Sequence, residues 1–316
     1  MISNQHGIAI LGIYVVDLAF RASRLPKMGE TILGPSFAMG PGGKGSNQAV
    51  AAARAGNGLP VSFITKLGRD AFAEIGLSTW KADGIRTDSV AQTDTEPTGA
   101  AFIFVSTETG DNAIIVSSGA AGTISVADID AAAPAIERAA VFVTQFEQPI
   151  EAARRGLELA RRAGVTTVLN PAPAVRVDDS LYALCDYVTP NETEASAITG
   201  LPIDNLDQAR AAGDALLERG AGVVLIALGE KGALYHRAGE SIYVPAFPVD
   251  IIVETTGAGD AFNGGFAVAL AEGQKPVDAV RFACATAALS VGKAGTAPSM
   301  PSRAEIDQLL ARVSGR

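Results

Sequence analysis

The chain has 316 residues, of which 48% are hydrophobic and 19% are charged, and its formal net charge is −9. This length and composition predict one large folded domain with a small attachment, and they argue against a disordered or fibrous chain. The negative charge, without a long Lys/Arg cluster, disfavours binding to nucleic acid or to an anionic membrane.

Histidine and cysteine are too scarce for several classes of site. His6 and His236 are the only histidines, which argues against a His-rich zinc site and leaves a Ser-His-Asp triad without a well-placed base. Cys185 and Cys284 lie far apart. The apolar stretch GIAILGIYVV has no Lys or Arg before it and is closed by Asp17, so we interpret it as a buried strand rather than a signal peptide. The expected compartment is the cytoplasm.

Short apolar runs alternate with Ala-rich amphipathic segments along most of the chain. Strands are predicted in VSFITKLG, AVFVTQF, GVTTVLN, YVTPNE and GVVLIALG, and helices near residues 46–55, 70–82, 149–163 and 205–219, the last two helices being 258–272 and 275–292. This alternation predicts an α/β fold of three layers, with helices on both faces of a central, mostly parallel sheet. Such sheets bind ligands at the carboxyl ends of their strands.

Two segments depart from this alternation. Residues 14–40 and 97–118 alternate polar and apolar positions without an intervening helix, and the second contains a Thr-Gly-Asp-Asn turn typical of a hairpin. They predict a small antiparallel sheet beside the main one. With no internal repeat and no long linker in the sequence, we expect a single domain over residues 1–316 that carries this small sheet.

The stretch ETTGAGDAFNGGF, residues 254–266, combines glycines with the start of a predicted helix near Ala258. Gly257, Ala258 and Gly259 would present free N–H groups to an anion. Asp260 lies in the first turn, where the field of the helix keeps a carboxylate ionised. Phosphoryl transfer needs amides that stabilise the transferred group and a base for the attacking hydroxyl. The alternative is an ordinary helix N-terminus with an early Asp.

A second glycine turn runs into a helix at GPGGKGSNQAVAAARAG, residues 40–56. Its glycines fit the dinucleotide fingerprint GxGxxG, but the turn follows a strand of the small sheet, and the Walker A pattern GxxxxGK[ST] is absent. Lys44 and Asn47 are donors that suit sugar hydroxyls, while Gly42 and Gly43 admit a ligand against the backbone. The alternative is a tight turn with a solvated lysine.

Together with TPNETEA at 189–195, these two stretches resemble the signature regions of the ribokinase, or PfkB, family of carbohydrate kinases. The resemblance covers nearly the whole chain and extends to Asp17, to Gly29 and Glu30, and to TQFEQP, LNPAP and ALGEKG, in the order of the family. It implies a ribokinase-like three-layer sandwich whose small sheet is a lid. It also implies an ATP-dependent kinase that phosphorylates a primary hydroxyl. D-ribose is the favoured substrate, and the alternatives are 2-deoxyribose, a ketohexose or a nucleoside.

Two other classes of function carry less weight. A nicotinamide-dependent oxidoreductase would need its fingerprint directly after the first strand, but Gly12 is followed by IYVVD. A non-catalytic sugar-binding sensor would be expected to lose Asp260 or the glycines before it, and all are present.

The resemblance implies a role for individual residues at the two substrates. Asp260 would be the catalytic base, and the anion hole would consist of Gly257, Ala258 and Gly259. The sugar site would comprise Asp17, Gly42, Gly43, Lys44, Asn47, Glu147 and Asp260. The lid residues that close it would be Ala101, Ile103 and Val116. The residues that flank the nucleotide would be Asn191, Leu228, Gly229, Gly232, Gly257 and Gly259.

Two metal ions are implied in the same way. Asn191 and Glu194 match the NxxE pattern that organises Mg²⁺ and its waters, although by themselves they would be interpreted as a solvated helix start. The residues implied for K⁺ are Glu254, Thr256, Gly295 and Ser299. The resemblance also implies a homodimer that forms through the lid.

Three positions depart from the ribokinase pattern. Val15 stands where Asn is common, which removes a partner of one sugar hydroxyl. Glu254 stands where the potassium loop has Asp, and Ala227 stands where Thr is usual beside the nucleotide. Val15 therefore predicts weaker discrimination between ribose and 2-deoxyribose.

Overall fold

The structure, a computed structural model, describes residues 6–314. Its strands are β1 (Ile8–Leu11), β2 (Val15–Ala22), β3 (Ser36–Gly42), β4 (Val61–Gly68), β5 (Val90–Thr93), β6 (Thr98–Ser106), β7 (Asn112–Gly119), β8 (Val141–Thr144), β9 (Thr166–Leu169), β10 (Tyr187–Val188), β11 (Val223–Ala227), β12 (Gly232–Arg237) and β13 (Glu240–Pro245). Its α-helices are α1 (Lys44–Ala55), α2 (Ala71–Ala82), α3 (Val126–Ala131), α4 (Ala133–Glu137), α5 (Ile150–Ala163), α6 (Glu192–Thr199), α7 (Leu206–Glu218), α8 (Ala258–Ala271), α9 (Pro276–Ser290) and α10 (Arg303–Ser314).

The large sheet has the strand order β13-β12-β11-β10-β9-β8-β1-β4-β5. All neighbouring strands from β11 through to β5 in this order pair in parallel. At the other edge, β12 pairs antiparallel with both β11 and β13. The side chains of β1 alternate between two buried clusters, with Ile8 and Ile10 in one and Ala9 and Leu11 in the other. Helices therefore cover both faces of the sheet, and the predicted α/β fold is confirmed.

The predicted N-terminal strand is two strands that belong to two different sheets. β1 ends at Leu11, and the chain crosses to the small sheet before β2 begins at Val15. Gly12 lies at this crossing, and a Cβ on Gly12 would lie 2.7 Å from the Cα of Gly45 in α1. Asp17 is therefore in the small sheet, within the segment 14–40 predicted to form it, and the prediction of one N-terminal strand that runs to Asp17 is wrong.

The small sheet has the order β3-β2-β6-β7 and draws on both segments that interrupt the alternation of strands and helices. The Thr-Gly-Asp-Asn turn joins β6 to β7, as predicted. β2 pairs with β3 and β6 pairs with β7 in antiparallel fashion, as predicted, but β2 and β6 pair in parallel, so the prediction of a wholly antiparallel sheet is wrong. The two strands come from distant parts of the chain, and no local turn constrains their direction. The extent of the single domain remains a prediction, and its residues 1–5 and 315–316 lie outside the described range.

The long periodic helices were predicted within two residues of their ends. The sequence did not predict β5, α3, α4, α10 or the hairpin β12–β13, and YVTPNE forms a strand only at Tyr187–Val188. In α10, Ile306 and Leu309 are buried at helical spacing, so an amphipathic pattern was present in the sequence. Within residues 6–314, no helix is long and apolar enough to cross a membrane.

Candidate active site

The start of α8 borders a cavity of about 140 Å³ at the carboxyl ends of the central strands. Gly257 has φ = +85° and precedes the helix, so a residue with a side chain would be strained there. A Cβ added to Gly259 would meet no atom within 4 Å. The cavity is lined by Lys44, Asn170, Ala172, Thr189, Asn191, Glu194, Ala227, Gly257, Gly259, Asp260, Phe262 and Asn263.

Asp260 is 6% exposed, and both of its carboxylate oxygens accept hydrogen bonds from α1. Asn47 Nδ2 donates to Oδ2 at 3.0 Å, and Gln48 Nε2 donates to Oδ1 at 3.1 Å. Burial raises the pKa of Asp260, while the charge of Lys44 and these two hydrogen bonds oppose the rise. The arrangement yields a buried carboxyl group with an increased affinity for protons, so burial outweighs the effect of the helix field that was predicted to keep it ionised.

The N-terminus of α1 faces Glu147, which follows β8. The backbone N–H of Lys44 donates to Glu147 Oε2 at 2.8 Å. Loss of hydration raises the pKa of Glu147 to about 7, even though Lys44 and this hydrogen bond lower it. Burial alone would lower the pKa of Lys44, but Asp260, Glu147 and Glu194 together raise it, so Lys44 stays charged among carboxylates.

Asp17 reaches the same region from the small sheet. The hydroxyl of Thr296 lies 3.2 Å from Asp17 Oδ2 and 3.0 Å from the carbonyl oxygen of Pro41. Loss of hydration raises the pKa of Asp17 to about 6, against the hydrogen bond from Thr296. A Cβ on Gly42 would collide with the Asp17 carboxylate, so Gly42 is required for the approach of β3 to this side chain.

A chain of buried amides supports the cavity from behind, and the sequence did not predict it. Gln145 Nε2 donates to Gln48 Oε1, and Gln48 also donates to Asn170 Oδ1 at 3.3 Å. Asn170 in turn donates to the carbonyl oxygen of Thr189 at 2.9 Å. Gln145 and Asn170 follow the parallel strands β8 and β9 directly, a position that could have identified them.

Asn191 and Glu194 form a capping box at the start of α6. Asn191 Oδ1 accepts from the backbone N–H of Glu194 at 2.8 Å, and Glu194 Oε2 accepts from that of Asn191 at 2.9 Å. Both residues also line the cavity. Burial raises the pKa of Glu194, and the hydrogen bond from Asn191 opposes the rise.

The segments predicted to bind potassium lie side by side. Glu254 Oε2 accepts from the backbone N–H of Gly295 at 2.8 Å, and the N–H of Glu254 donates to the carbonyl oxygen of Val291 at 3.2 Å. Ser299 is fully buried and donates its hydroxyl hydrogen to the carbonyl oxygen of Thr296 at 2.7 Å.

The residues predicted beside the nucleotide lie at the turn between β11 and β12. Leu228 contributes to a separate cavity of about 170 Å³, together with Lys231 and Tyr243. Gly229 is exposed with φ = +55°. Gly232 has a structural reason to be glycine, because a Cβ there would collide with the carbonyl oxygen of Val244 in the hairpin.

The lid residues lie on the same face of the small sheet as Asp17. Ala101 pairs with both Asp17 and Val116, and Ile103 follows two positions later on the same face. Ala101 is 3% exposed, whereas Val116 is 49% exposed.

One family profile, that of the pfkB family carbohydrate kinases, matches residues 5–303. The chain belongs to this family. It is 39% identical over 304 residues to the deoxyribokinase of Salmonella typhi, covering 96% of this chain and 98% of the relative. It is 37% identical over 303 residues to the ribokinase of Haemophilus influenzae, with coverage of 96% and 98%.

Solved structures show the same relationship. The structure of Arabidopsis thaliana ribokinase complexed with ribose and ATP matches with a TM-score of 0.89 and 32% identity, covering 97% of this chain and 99% of that one. This member of the pfkB family is accordingly an ATP-dependent sugar kinase, as predicted, and it has the ribokinase-like fold.

Proposed function

We propose that this kinase transfers the γ-phosphoryl group of ATP to the primary hydroxyl of D-ribose, giving D-ribose 5-phosphate. The observation that supports it best is the buried Asp260 carboxyl, which lines a cavity beside the glycine-rich start of α8. Asp260 accepts the proton of the attacking hydroxyl. The oxygen of that hydroxyl bonds to the γ-phosphorus while the bond from this phosphorus to the β-phosphate oxygen breaks, and ADP leaves.

The anion hole completes this step. The backbone N–H groups of Gly257, Ala258 and Gly259 stabilise the charge on the transferred group. The N–H of Ala258 is not free as predicted, because it donates to the carbonyl oxygen of Thr255 at 3.2 Å, and it would exchange this bond for one to the phosphoryl group. The empty space around the Cα of Gly259 supports this role, because a phosphoryl group needs that room against the backbone.

The sugar would bind between α1 and the lid. Asp17 and Glu147 offer carboxylate acceptors to sugar hydroxyls, while Asn47 and Lys44 offer donors. Gly42 and Gly43 would let the ring approach the backbone. The apolar side chains that would close the site from the lid are Ala101, Ile103 and Val116.

A second candidate substrate, 2-deoxyribose, is favoured by Val15. This residue is 3% exposed and lies on the Asp17 face of β2, two positions before the carboxylate. It packs in the same apolar cluster as Ala101. A methyl surface at this place offers no partner to a sugar hydroxyl, and the deoxyribokinase relative is as similar to this chain as the ribokinases are.

We also propose a Mg²⁺ site held through water by Asn191 and Glu194. Carboxylates surround the single Lys44 in the cavity, so bound phosphates need further positive charge, which Mg²⁺ supplies. Among the described residues, no three His, Cys, Asp or Glu side chains form a metal-binding group. Contacts through water fit this arrangement. The nucleotide would extend from the anion hole towards Leu228, Gly229 and Gly232.

For K⁺ we propose the loop formed by Glu254, Thr256, Gly295 and Ser299. Oxygen donors suit this ion, and the segments that carry them are held together by hydrogen bonds. When bound, K⁺ supplies positive charge beside the anion hole. We propose in addition that the enzyme works in the cytoplasm, where ATP is available, and that two copies associate through their lids.

The function is tested with Asp260→Asn in an ADP-release assay over ribose, 2-deoxyribose, fructose and several nucleosides. We expect ribose and 2-deoxyribose to be the best substrates of the natural enzyme. Turnover should fall at least ~10²-fold in the variant, because general-base catalysis contributes that much, while calorimetry shows ribose and ATP still bound. Turnover within a few-fold of the natural enzyme would exclude Asp260 as the base.

A further inference from the structure

Gln48 is a fully buried residue of α1 whose side-chain amide has a partner at each end. Its Nε2 donates to Asp260 Oδ1 at 3.1 Å and to Asn170 Oδ1 at 3.3 Å, and its Oε1 accepts from Gln145. Its two neighbours in this network belong to segments that follow β8 and β9. Gln48 is therefore fixed from behind by the rigid central sheet.

Asn47 contacts the other oxygen of the Asp260 carboxylate, and its side-chain amide has a partner at only one end. Its Nδ2 donates to Asp260 Oδ2 at 3.0 Å, but its own Oδ1 is buried without a hydrogen-bond partner. A buried amide oxygen without a partner is costly, and a sugar hydroxyl would satisfy it. Asn47 thus has a free position for a ligand, whereas Gln48 has none.

We propose that Gln48 is a positioning residue that holds Oδ1 of Asp260 and leaves Oδ2 as the atom that accepts the substrate proton. The inference rests on the proposed function of Asp260. When the sugar binds, a ring hydroxyl donates to Asn47 Oδ1 and the attacking hydroxyl donates to Oδ2 of Asp260. Gln48 meanwhile keeps the carboxylate in one orientation. Catalysis is sensitive to such orientation, because a displacement of about 1 Å costs on the order of 10²-fold in rate.

The hydrogen bond from Gln48 also favours the ionised carboxylate. The charged groups that face Asp260 are Lys44 from α1, Asp17 from β2, Glu194 from α6, and Glu147 from the loop after β8. Burial favours a protonated Asp260, which is the inactive form of a base, and three of these neighbours add negative charge near it. Gln48 is an uncharged donor that opposes them.

The test is Gln48→Met, which keeps the length of the side chain and removes its donor. We expect kcat to fall about 10- to 100-fold, with KM for ribose and for ATP changed less than about threefold. The acidic limb of the kcat/KM profile should move up by about one pH unit, because a hydrogen bond donated to a carboxylate stabilises its ionised form by roughly that amount.

The matched control is Gln148→Met. Gln148 is a buried amide near the same place, but its Nε2 donates to Thr144 Oγ1 at 2.8 Å and to the carbonyl oxygen of Gln145 rather than to Asp260. We expect it to cost stability without moving the acidic limb. Equal movement of the limb in both variants, or none in Gln48→Met, would overturn the proposal.

If Gln48→Met fails to fold, Gln48→Glu retains the shape of the side chain. The new carboxyl can donate a hydrogen bond to Asp260 when it is protonated. When it is ionised, it repels the Asp260 carboxylate. We therefore expect activity only in the pH range where the two carboxyls share one proton, with an earlier loss of activity as pH rises than in the natural enzyme, and an unchanged profile would refute the role of Gln48. Failure of the proposed function is distinguishable, because Asp260→Asn would then stay active whatever the Gln48 variants do.

Discussion

At the scale of single residues, Val15 is expected to determine how well the enzyme separates two pentoses. An unpaired buried hydroxyl costs roughly 1–3 kcal/mol, which is about a 5- to 150-fold loss of specificity for the hydroxylated sugar. We expect the natural enzyme to discriminate weakly between ribose and 2-deoxyribose, and Val15→Asn to shift its preference towards ribose. The measurement is kcat/KM for both sugars.

Val15→Ala is the control for this prediction, since it removes methyl groups without adding an amide. It should leave the ratio of the two kcat/KM values near that of the natural enzyme. Strong ribose preference in the natural enzyme, unchanged in Val15→Asn, would show that Val15 only packs. Tyr14, the other neighbouring candidate for a hydroxyl contact, is fully buried and donates its own hydroxyl hydrogen to the carbonyl oxygen of Phe72.

Glu147 should lower the stability of the free enzyme at neutral pH. Its pKa is about 7 in the folded protein against an ordinary value of 4.5, so folding favours its protonated form. The protonated form of Glu147 stabilises the fold. This stabilisation is complete below about pH 4.5 and is lost as pH rises through about 7. Between pH 5 and pH 8, the free energy of unfolding should therefore fall less in Glu147→Gln than in the natural enzyme, with a difference of up to about 3 kcal/mol.

Urea unfolding of both proteins at pH 5 and pH 8 measures this difference, and calorimetry should show weaker ribose binding in the variant. Gln keeps an oxygen that accepts from the N–H of Lys44, so the helix start is preserved. A parallel pH dependence in the two proteins would contradict the assignment. A positive result would make Glu147 a residue that serves function at the expense of stability.

At the scale of elements, the loop before α8 and the loop after α9 form one unit that should respond to K⁺. Glu254 links them through the N–H of Gly295. We expect K⁺ to raise kcat and tetramethylammonium to be ineffective at equal ionic strength. Glu254→Gln should need more K⁺ for half-maximal activation, because it removes the negative charge but keeps an acceptor oxygen for Gly295. Equal rates in both cations would remove the ion from the mechanism.

The bounds of the helices and strands show which predictions from local sequence are correct. The start of α8 at Ala258 was predicted because glycines and an apolar helical pattern both mark it locally. The strand predicted in YVTPNE is cut to two residues because Asn191 caps the next helix. The capping box also explains the NxxE spacing by local hydrogen bonds, so this motif has a structural role whatever its role towards Mg²⁺.

At the scale of the whole molecule, the outer face of the lid should be the contact between two copies. Opposite the Asp17 face, Phe20, Phe37, Met39 and Ile115 are 43%, 53%, 51% and 70% exposed. The ring centroids of Phe20 and Phe37 are 4.8 Å apart. Because all four side chains lie on this face of the small sheet, they belong to one apolar surface. Contiguous exposed apolar surface of this kind marks interaction sites.

Sedimentation should show a dimer for the natural enzyme and a monomer for Ile115→Asp. The control is Ile251→Asp, since Ile251 is equally exposed at 70% but lies outside the lid. Dimers of both variants, or a monomeric natural enzyme, would exclude this surface as the interface.

The sequence by itself determined the alternation of strands and helices, the glycine turns before α1 and α8, and the family. These features depend on neighbours within a few residues or on the chemistry of a short motif. Only the tertiary structure decided that β2 pairs in parallel with β6, that Thr296 reaches Asp17 from 279 residues away, and that Gln48 holds Asp260. Such contacts join segments that are distant along the chain, and their partners are chosen by packing rather than by any local pattern.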